Sequence, residues 1–116
     1  MEIQFNSTRE KMMSTFENVS LTKAANIYFD GRVTSRSLTL ENGDKVSLGV
    51  MSPGDYEFGT AEKEIMEIMS GELQVLLPGS SEWQNIKGGE SFKVPANASF
   101  QVKAQSMVDY CCYYIA

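Results

Sequence analysis

Histidine is absent from this chain of 116 residues, and its absence excludes more chemistry than any other feature of the composition. A Ser-His-Asp triad, a Cys-His pair, a histidine general base and a histidine-ligated zinc, iron or copper site are all ruled out. The cysteines Cys111 and Cys112 are sequence neighbours with Cα atoms about 3.8 Å apart, which would strain a disulfide, and in a strand they point to opposite faces. We therefore expect no disulfide framework, no metal and no cofactor.

Positive charge is also scarce. Ten Lys and Arg stand against fifteen Asp and Glu, which gives a net charge of −5. Nucleic acids and anionic membranes require a basic face, so we expect neither as a partner. No apolar run approaches the ~18 residues of a membrane span, and residues 1–6 lack the basic start and apolar core of a signal peptide. A cytoplasmic protein is predicted.

The chain has the length of a single domain preceded by a segment of different character. We expect residues 1–24 to form an N-terminal arm, for which a short helix and a disordered or loosely docked segment are both open. Ser7 to Glu10 has capping-box spacing, and Met12, Met13 and Phe16 lie close together on a helical wheel. Residues 25–116 are expected to form the folded domain.

Residues 25–116 contain turn signals every ~8–12 residues with no convincing helix between them, which is typical of an all-β sandwich or barrel. Asn42-Gly43 predicts a tight hairpin between apolar runs. Ser70-Gly71 predicts a second hairpin, between the strands over Ile65–Met69 and Glu72–Leu77. The final strands are expected over Ser99–Lys103 and Val108–Ile115.

Two segments resemble the paired motifs of the cupins, Gly54 to Gly71 and Gly89 to Phe100. The resemblance implies a small jelly-roll β-barrel whose motif positions line an internal cavity. The metal ligands of the motifs are missing. Thr60 and Glu62, or Phe58 and Thr60 in the other register, stand at the histidine positions of the first motif, and Phe100 stands at that of the second.

A second set of short motifs extends over about residues 26–115: Tyr28-Phe29-x-Gly31-x-Val33, Leu48-Gly49-Val50-Met51-x-Pro53-Gly54-x-Tyr56-x-Phe58-x-Thr60, Glu64-x-Met66, Ser70-Gly71-x-Leu73-x-Val75-x-Leu77-Pro78, Trp83-Gln84, Phe92-x-Val94-Pro95 and Tyr110-x-Cys112-x-Tyr114. In order and spacing they resemble the small pyrimidine/purine nucleoside phosphorylases, a cupin family. The resemblance implies a homodimeric pentosyltransferase that converts a nucleoside and inorganic phosphate to a free base and a pentose 1-phosphate, with broad tolerance of purines and pyrimidines.

Glu62 and Glu64 are the candidate catalytic residues for such a reaction. In an extended segment, Thr60, Glu62 and Glu64 share one face. If that face lines the cavity, Glu64 accepts hydrogen bonds from ribose hydroxyls, Glu62 steadies positive charge at C1′ or orients the base, and Thr60 contacts the substrate. The alternative is a solvated charged rim, because acidic residues are mostly exposed.

Aromatic side chains and a cation complete the candidate substrate site. Tyr28, Tyr56, Phe58 and Phe100 are able to sandwich a base, since stacking tolerates any ring, although most such residues are ordinary core. Phosphate requires a cation or backbone N–H groups. Arg32, which we expect in the first barrel strand, is preferred over Arg36, Lys93 and Lys103.

Two further functions remain open from the sequence. A non-enzymatic cupin that binds a small sugar or nucleotide is favoured if the carboxylates point outward. A metal-dependent cupin oxygenase or isomerase is nearly eliminated by the missing histidines.

Overall fold

Short strands separated by tight turns make up the computed structural model, which describes residues 14–116. The described chain contains no α-helix, only a 3-10 helix at Phe29–Gly31. The strands are β1 (Ser20–Leu21), β2 (Asn26–Tyr28), β3 (Val33–Thr39), β4 (Lys45–Met51), β5 (Gly54–Gly59), β6 (Lys63–Ser70), β7 (Glu72–Leu76), β8 (Gln84–Lys87), β9 (Ser91–Val94), β10 (Ser99–Ala104) and β11 (Val108–Ile115). The predicted all-β single domain is confirmed.

The strands form two antiparallel sheets. The large sheet has the order β1-β3-β4-β11-β6-β9, with β2 also paired to β3, and the small sheet has the order β5-β10-β7-β8. Most of the core lies between them, where Val33, Ile68 and Val108 of the large sheet and Leu73 and Val75 of the small sheet are fully buried. Inward positions alternate with outward ones because successive side chains of a strand point to opposite faces.

One predicted hairpin is confirmed and the other is wrong. Asn42-Gly43 closes the turn between β3 and β4, where Gly43 takes a φ of 95° and its N–H donates to the Leu40 carbonyl. Ser70-Gly71 does turn the chain, but β6 pairs with β11 and β9 whereas β7 pairs with β10 and β8. The chain crosses there from one sheet to the other. Gly71 has a φ of 97°, and any Cβ on it would collide with the backbone of Met107.

Cys111 and Cys112 point to opposite faces of β11, as predicted. Cys112 belongs to the core between the sheets, whereas Cys111 packs on the outer face of the large sheet with Leu38, Val46 and Tyr113. Both are buried free thiols. The two neighbouring cysteines therefore lie in different environments, one on each face of β11.

The end of the expected N-terminal arm is attached to the large sheet. Ser20 and Leu21 form β1, which pairs with Thr39 and Leu38 of β3. The capping-box segment Ser7 to Glu10, with Met12 and Met13, lies outside the described residues. Within the described range 14–116, no helix is long and apolar enough to cross a membrane.

Candidate active site

A cavity of about 450 Å³ opens between the two sheets, within the size range of small-molecule sites. Aromatic rings form much of its wall, and carboxyl, hydroxyl and thiol groups from strands β3, β6 and β11 reach into it. The residues that line it are Tyr28, Phe29, Ser35, Met51, Glu57, Phe58, Gly59, Glu64, Met66, Phe100, Tyr110, Cys112 and Tyr114.

Glu64 brings a carboxylate into this cavity. It lies in the second position of β6, between β9 and β11, and is half-buried. Burial raises the pKa of Glu64, the Cys112 thiol lowers it by donating to Oε1 at 3.5 Å, and the charge of Glu62 raises it further. The sequence left the direction of this side chain open, and the structure places Glu64 among the lining residues of the cavity.

Glu62 and Thr60 do not lie on the common face with Glu64 that was expected from the sequence. The extended segment expected over residues 60–64 does not form, because β5 ends at Gly59 and the chain bends before β6 begins at Lys63. Glu62 is exposed on that bend. The Thr60 hydroxyl donates to the Pro95 carbonyl at 2.7 Å and accepts from the Ala98 N–H at 3.0 Å. Its hydrogen bonds thus hold this bend against the loop before β10.

Three of the four predicted aromatic residues line the cavity, Tyr28, Phe58 and Phe100. Phe58 and Phe100 face each other across the β5–β10 pair, with ring centroids 5.5 Å apart and planes 34° from parallel. Tyr56 lies outside the lining residues. It is buried, and its hydroxyl donates to the Ser52 carbonyl at 2.6 Å. Tyr56 supports the wall from behind, because it packs 6.0 Å from the Phe58 ring.

Tyr28 and Phe29 form the mouth of the cavity, and sequence reasoning missed Phe29. Phe29, Asp30 and Gly31 follow one another with φ values of 53°, 57° and 91°. A left-handed backbone is unfavourable for a bulky side chain such as that of Phe29. The turn places the Phe29 ring 5.6 Å from the Phe58 ring, with the two ring planes at 90°. The signal for this turn in the sequence was the Asp30-Gly31 pair, because both residue types tolerate a left-handed backbone.

Arg32 lies in the turn before β3 and not in the first barrel strand where we expected it. Its Nε donates to the Phe29 carbonyl at 3.3 Å, and its guanidinium stacks 5.4 Å from the centre of the Tyr56 ring. It is exposed beside the mouth and is not a lining residue. Within the described residues, neither Lys nor Arg lines the cavity itself.

Hydroxyl and thiol groups of β11 cover the rest of the polar wall. Tyr110, Cys112 and Tyr114 alternate along the inner face of that strand and all line the cavity. Burial raises the pKa of each of these three groups well above its usual range. They are therefore neutral hydrogen-bonding groups at neutral pH and not anionic nucleophiles.

The described residues that line the cavity offer few ligands for a metal ion. Among residues 14–116, no three His, Cys, Asp or Glu side chains group closely enough to hold an ion. Glu64 brings a carboxylate into the cavity, whereas Glu57 is exposed and its side chain alternates along β5 with those of Tyr56 and Phe58, which face the core. With no histidine in the chain, the usual nitrogen ligands of zinc, iron and copper are missing as well.

Two facing sheets around a lined internal cavity define a cupin-type jelly-roll domain, as the motifs predicted. The fold is shared with the cupin domain of Cnp3 from Schizosaccharomyces pombe, with a TM-score of 0.59 and 14% identity over 78% of this chain and 64% of that one. A structure of a protein of unknown function from Acinetobacter sp. ADP1 is more similar. Its TM-score is 0.84 at 36% identity, covering 87% of this chain and 98% of that one.

Sequence comparison places the chain within one family of this class. The family model described as Pyrimidine/purine nucleoside phosphorylase matches residues 23–114. A protein from Colwellia psychrerythraea with the name pyrimidine/purine nucleoside phosphorylase is 57% identical over 104 residues, which is 90% of this chain and 100% of that protein. The chain belongs to the pyrimidine/purine nucleoside phosphorylase family, as its motifs indicated.

Proposed function

We propose that the protein is a broad-specificity, metal-independent nucleoside phosphorylase. A phosphate oxygen forms a bond to C1′ of the nucleoside as the bond from C1′ to the base nitrogen breaks. The electron pair of that bond leaves with the base, which takes up a proton, and the products are a free purine or pyrimidine base and a pentose 1-phosphate. The names of the relatives support this reaction at the level of the family.

The position of Glu64 carries the proposal. The reaction develops positive charge at C1′, as glycoside cleavage does, and a carboxylate in a partly dehydrated cavity stabilises such charge better than in water. Glu64 is a carboxylate of this kind, with Oε1 bonded to Cys112 and Oε2 available for a ribose hydroxyl. We keep Glu62 as the second candidate, acting from the rim, because its charge reaches Glu64.

The aromatic wall supports broad base tolerance. Phe58 and Phe100, predicted from the sequence, and Phe29 at the mouth offer ring faces, and stacking contributes about 1–3 kcal/mol per base without reading its edges. The proposed roles of Tyr56 and Thr60 are indirect, because their hydrogen bonds hold in place the cavity wall that contacts the substrate. Strong discrimination between bases needs buried polar groups that the wrong ligand leaves unpaired. The aromatic part of this wall has few such groups.

Phosphate is proposed to bind at the mouth of the cavity and not in its interior. An anion in the interior is repelled by the carboxylate of Glu64, and no lysine or arginine is present among the described lining residues to offset it. Arg32 stands beside Phe29 at the mouth, with only Nε hydrogen-bonded to the described protein, so its remaining N–H groups are able to bind phosphate.

The test is base release from a panel of purine and pyrimidine ribonucleosides, measured with and without inorganic phosphate. We expect phosphate-dependent release of both classes, at rates within about 10–100-fold of one another. Release of free ribose without phosphate would make the protein a hydrolase. Saturable nucleoside or sugar binding with no turnover would support the non-enzymatic cupin instead.

A cytoplasmic homodimer is the proposed state of the protein, and the outer face of the large sheet is suited to the dimer contact. One row across four strands of this face reads Arg36, Leu48, Cys111, Glu67 by register. A two-fold axis through the middle of the row would set Arg36 opposite Glu67 of the second copy. Leu48 is 41% exposed, and Met69 nearby is 47% exposed. The free thiols agree with a reducing compartment.

Light scattering during size exclusion tests this contact. Arg36→Glu is expected to weaken the dimer by like-charge repulsion, and the double variant Arg36→Glu with Glu67→Arg is expected to restore it. A wild-type monomer, or a dimer indifferent to Arg36→Glu, would contradict the proposed face.

A further inference from the structure

Four polar side chains on the inner face of the large sheet form two diagonal pairs. Ser47 on β4 is the register partner of Cys112 on β11, yet its hydroxyl lies 2.9 Å from the Tyr114 hydroxyl. Glu64 on β6 is the register partner of Tyr114, yet its Oε1 accepts from the Cys112 thiol at 3.5 Å. The interaction between the Tyr114 hydroxyl and the Cys112 thiol lowers the pKa of Cys112 and raises that of Tyr114, as is expected when the hydroxyl donates to the sulfur. We call Ser47, Tyr114, Cys112 and Glu64 the polar relay.

The number of protons in the relay fixes its direction. An ionised carboxylate has no proton to donate, so the Cys112 thiol donates to Glu64. The sulfur then receives the Tyr114 proton, and the Tyr114 oxygen receives the Ser47 proton, because each of these groups carries one hydrogen. The relay therefore directs three successive donors toward one carboxylate oxygen.

Packing keeps these donors in place. Ser47 and Cys112 are each 3% exposed, and Tyr114 packs against the core between the sheets. Side chains enclosed in this way lose little further freedom when they hold a partner, so a weak donor such as a thiol is able to orient a carboxylate.

We infer that Cys112, supported by Tyr114 and Ser47, is a positioning residue that fixes the Glu64 carboxylate with one oxygen held by the wall and the other turned toward the substrate. The inference rests on the proposed function for its catalytic meaning, but the arrangement itself is testable without turnover. It gives a role to the Tyr110-x-Cys112-x-Tyr114 segment beyond lining the cavity.

A pH-dependent consequence follows from the groups that face Glu64. Burial and the charge of Glu62 on the preceding bend raise its pKa, and the Cys112 thiol lowers it. Tyr110 and Tyr114 face it from β11, and Glu57 and Tyr28 line the same cavity from β5 and β2. Loss of the thiol removes a contribution that favours the ionised carboxyl, so Glu64 should titrate at higher pH without it.

The test is a carboxyl titration by NMR of protein labelled with ¹³C at the glutamate side chains, with Glu64→Gln used to assign the resonance. Cys112→Ala should move the Glu64 midpoint to higher pH, and Cys112→Ser, which keeps a donor, should bring it back toward wild type. Cys111→Ala is the matched control, since Cys111 is the adjacent buried thiol on the opposite face. It should leave the midpoint unchanged.

Kinetics provide the second readout. At neutral pH, Cys112→Ala should lower kcat/KM by about 2- to 10-fold, the value of one ordinary hydrogen bond, and should move the acidic limb of its pH profile upward. Tyr114→Phe keeps the volume of the ring but breaks the relay one step earlier. Tyr114→Phe should also move the Glu64 midpoint to higher pH, by less than Cys112→Ala does. If Cys112→Ala does not fold, the titration of Tyr114→Phe tests the inference in its place.

An unchanged Glu64 midpoint in folded Cys112→Ala, or a shift of the same size in Cys111→Ala, would overturn the inference. A shifted midpoint in a protein that turns over no nucleoside would leave the relay standing and overturn the proposed function instead. An altered rate in Cys112→Ala with the same pH profile as wild type would mark Cys112 as a packing residue only.

Discussion

Replacing Glu64 with glutamine removes the cavity charge while keeping the shape and most of the volume of the side chain. One carboxylate oxygen already accepts from Cys112 at 3.5 Å, which leaves the other for a single charged hydrogen bond to ribose. A hydrogen bond to a charged group is worth about 1.5–3 kcal/mol. Because each tenfold in rate corresponds to about 1.4 kcal/mol, Glu64→Gln should lower kcat/KM by about 10- to 150-fold.

The same substitution should have the opposite effect on stability. Burial raises the pKa of Glu64 in the folded protein above its value in the unfolded chain. Between those two pKa values the folded state holds the extra proton, so wild-type stability falls as the pH rises through this window. Glutamine has no such titration. The free energy of unfolding of Glu64→Gln should therefore gain on that of wild type as the pH rises from the ordinary pKa of a glutamate through the raised pKa of Glu64.

Steady-state phosphorolysis and urea unfolding at several pH values measure both effects. Glu62→Gln is the matched control, since Glu62 is exposed on the bend only two residues away. Glu62→Gln should change the free energy of unfolding little, and it should lower kcat/KM by less than Glu64→Gln does. Wild-type rates in both variants would exclude a catalytic role for these residues, and a pH-independent stability difference would refute the argument from burial.

Three further predictions follow from the composition and the packing. Activity should survive dialysis against EDTA, with no stoichiometric transition metal by mass spectrometry; loss that one ion restores would contradict this. Phe58→Ala should raise KM by about 5- to 150-fold, alike for purine and pyrimidine nucleosides; a change for one class only would show that the site reads the edges of the base. Gly49→Ala should destabilise the fold by about 1–3 kcal/mol in urea unfolding, because a Cβ would lie 2.5 Å from the Thr34 carbonyl and the Tyr110 ring. Gly59→Ala, whose nearest contact would be at 3.9 Å, is its control.

Local sequence signals predicted the elements of this fold better than their pairing. Asn42-Gly43 identified a hairpin because its backbone preference is decided within two residues. Ser70-Gly71 gave an equally strong turn signal, but whether the next strand returns to the same sheet depends on partners far along the chain. Here β7 pairs with β10 and β6 pairs with β11, and these long-range pairings place β6 and β7 in different sheets.

The candidate site was predictable where alternation in a strand holds and not where the chain bends. Glu64 and Phe58, both named as candidates, lie within strands and line the cavity. Thr60 and Glu62 were assigned by the same two-residue period, but the bend after β5 breaks that period. Phe29 depends on a left-handed turn that opposes the preference of its own side chain, so the Asp30-Gly31 pair indicates a turn there but not that Phe29 takes part in it.

The polar relay lies beyond local prediction for a different reason. Its hydrogen bonds join β4, β11 and β6 along diagonals of the sheet, and only the pairing of all three strands brings them together. From the sequence, Cys112 and Tyr114 are merely alternate residues of one strand.

Phosphorus NMR on a mixture of nucleoside, inorganic phosphate and protein tests the central claim most directly. The account predicts that the phosphate signal falls as a pentose 1-phosphate signal rises, one equivalent for each base released, and that Glu64→Gln slows both changes together. Base release with an unchanged phosphate signal, or a static spectrum for every nucleoside offered to folded protein, would contradict it.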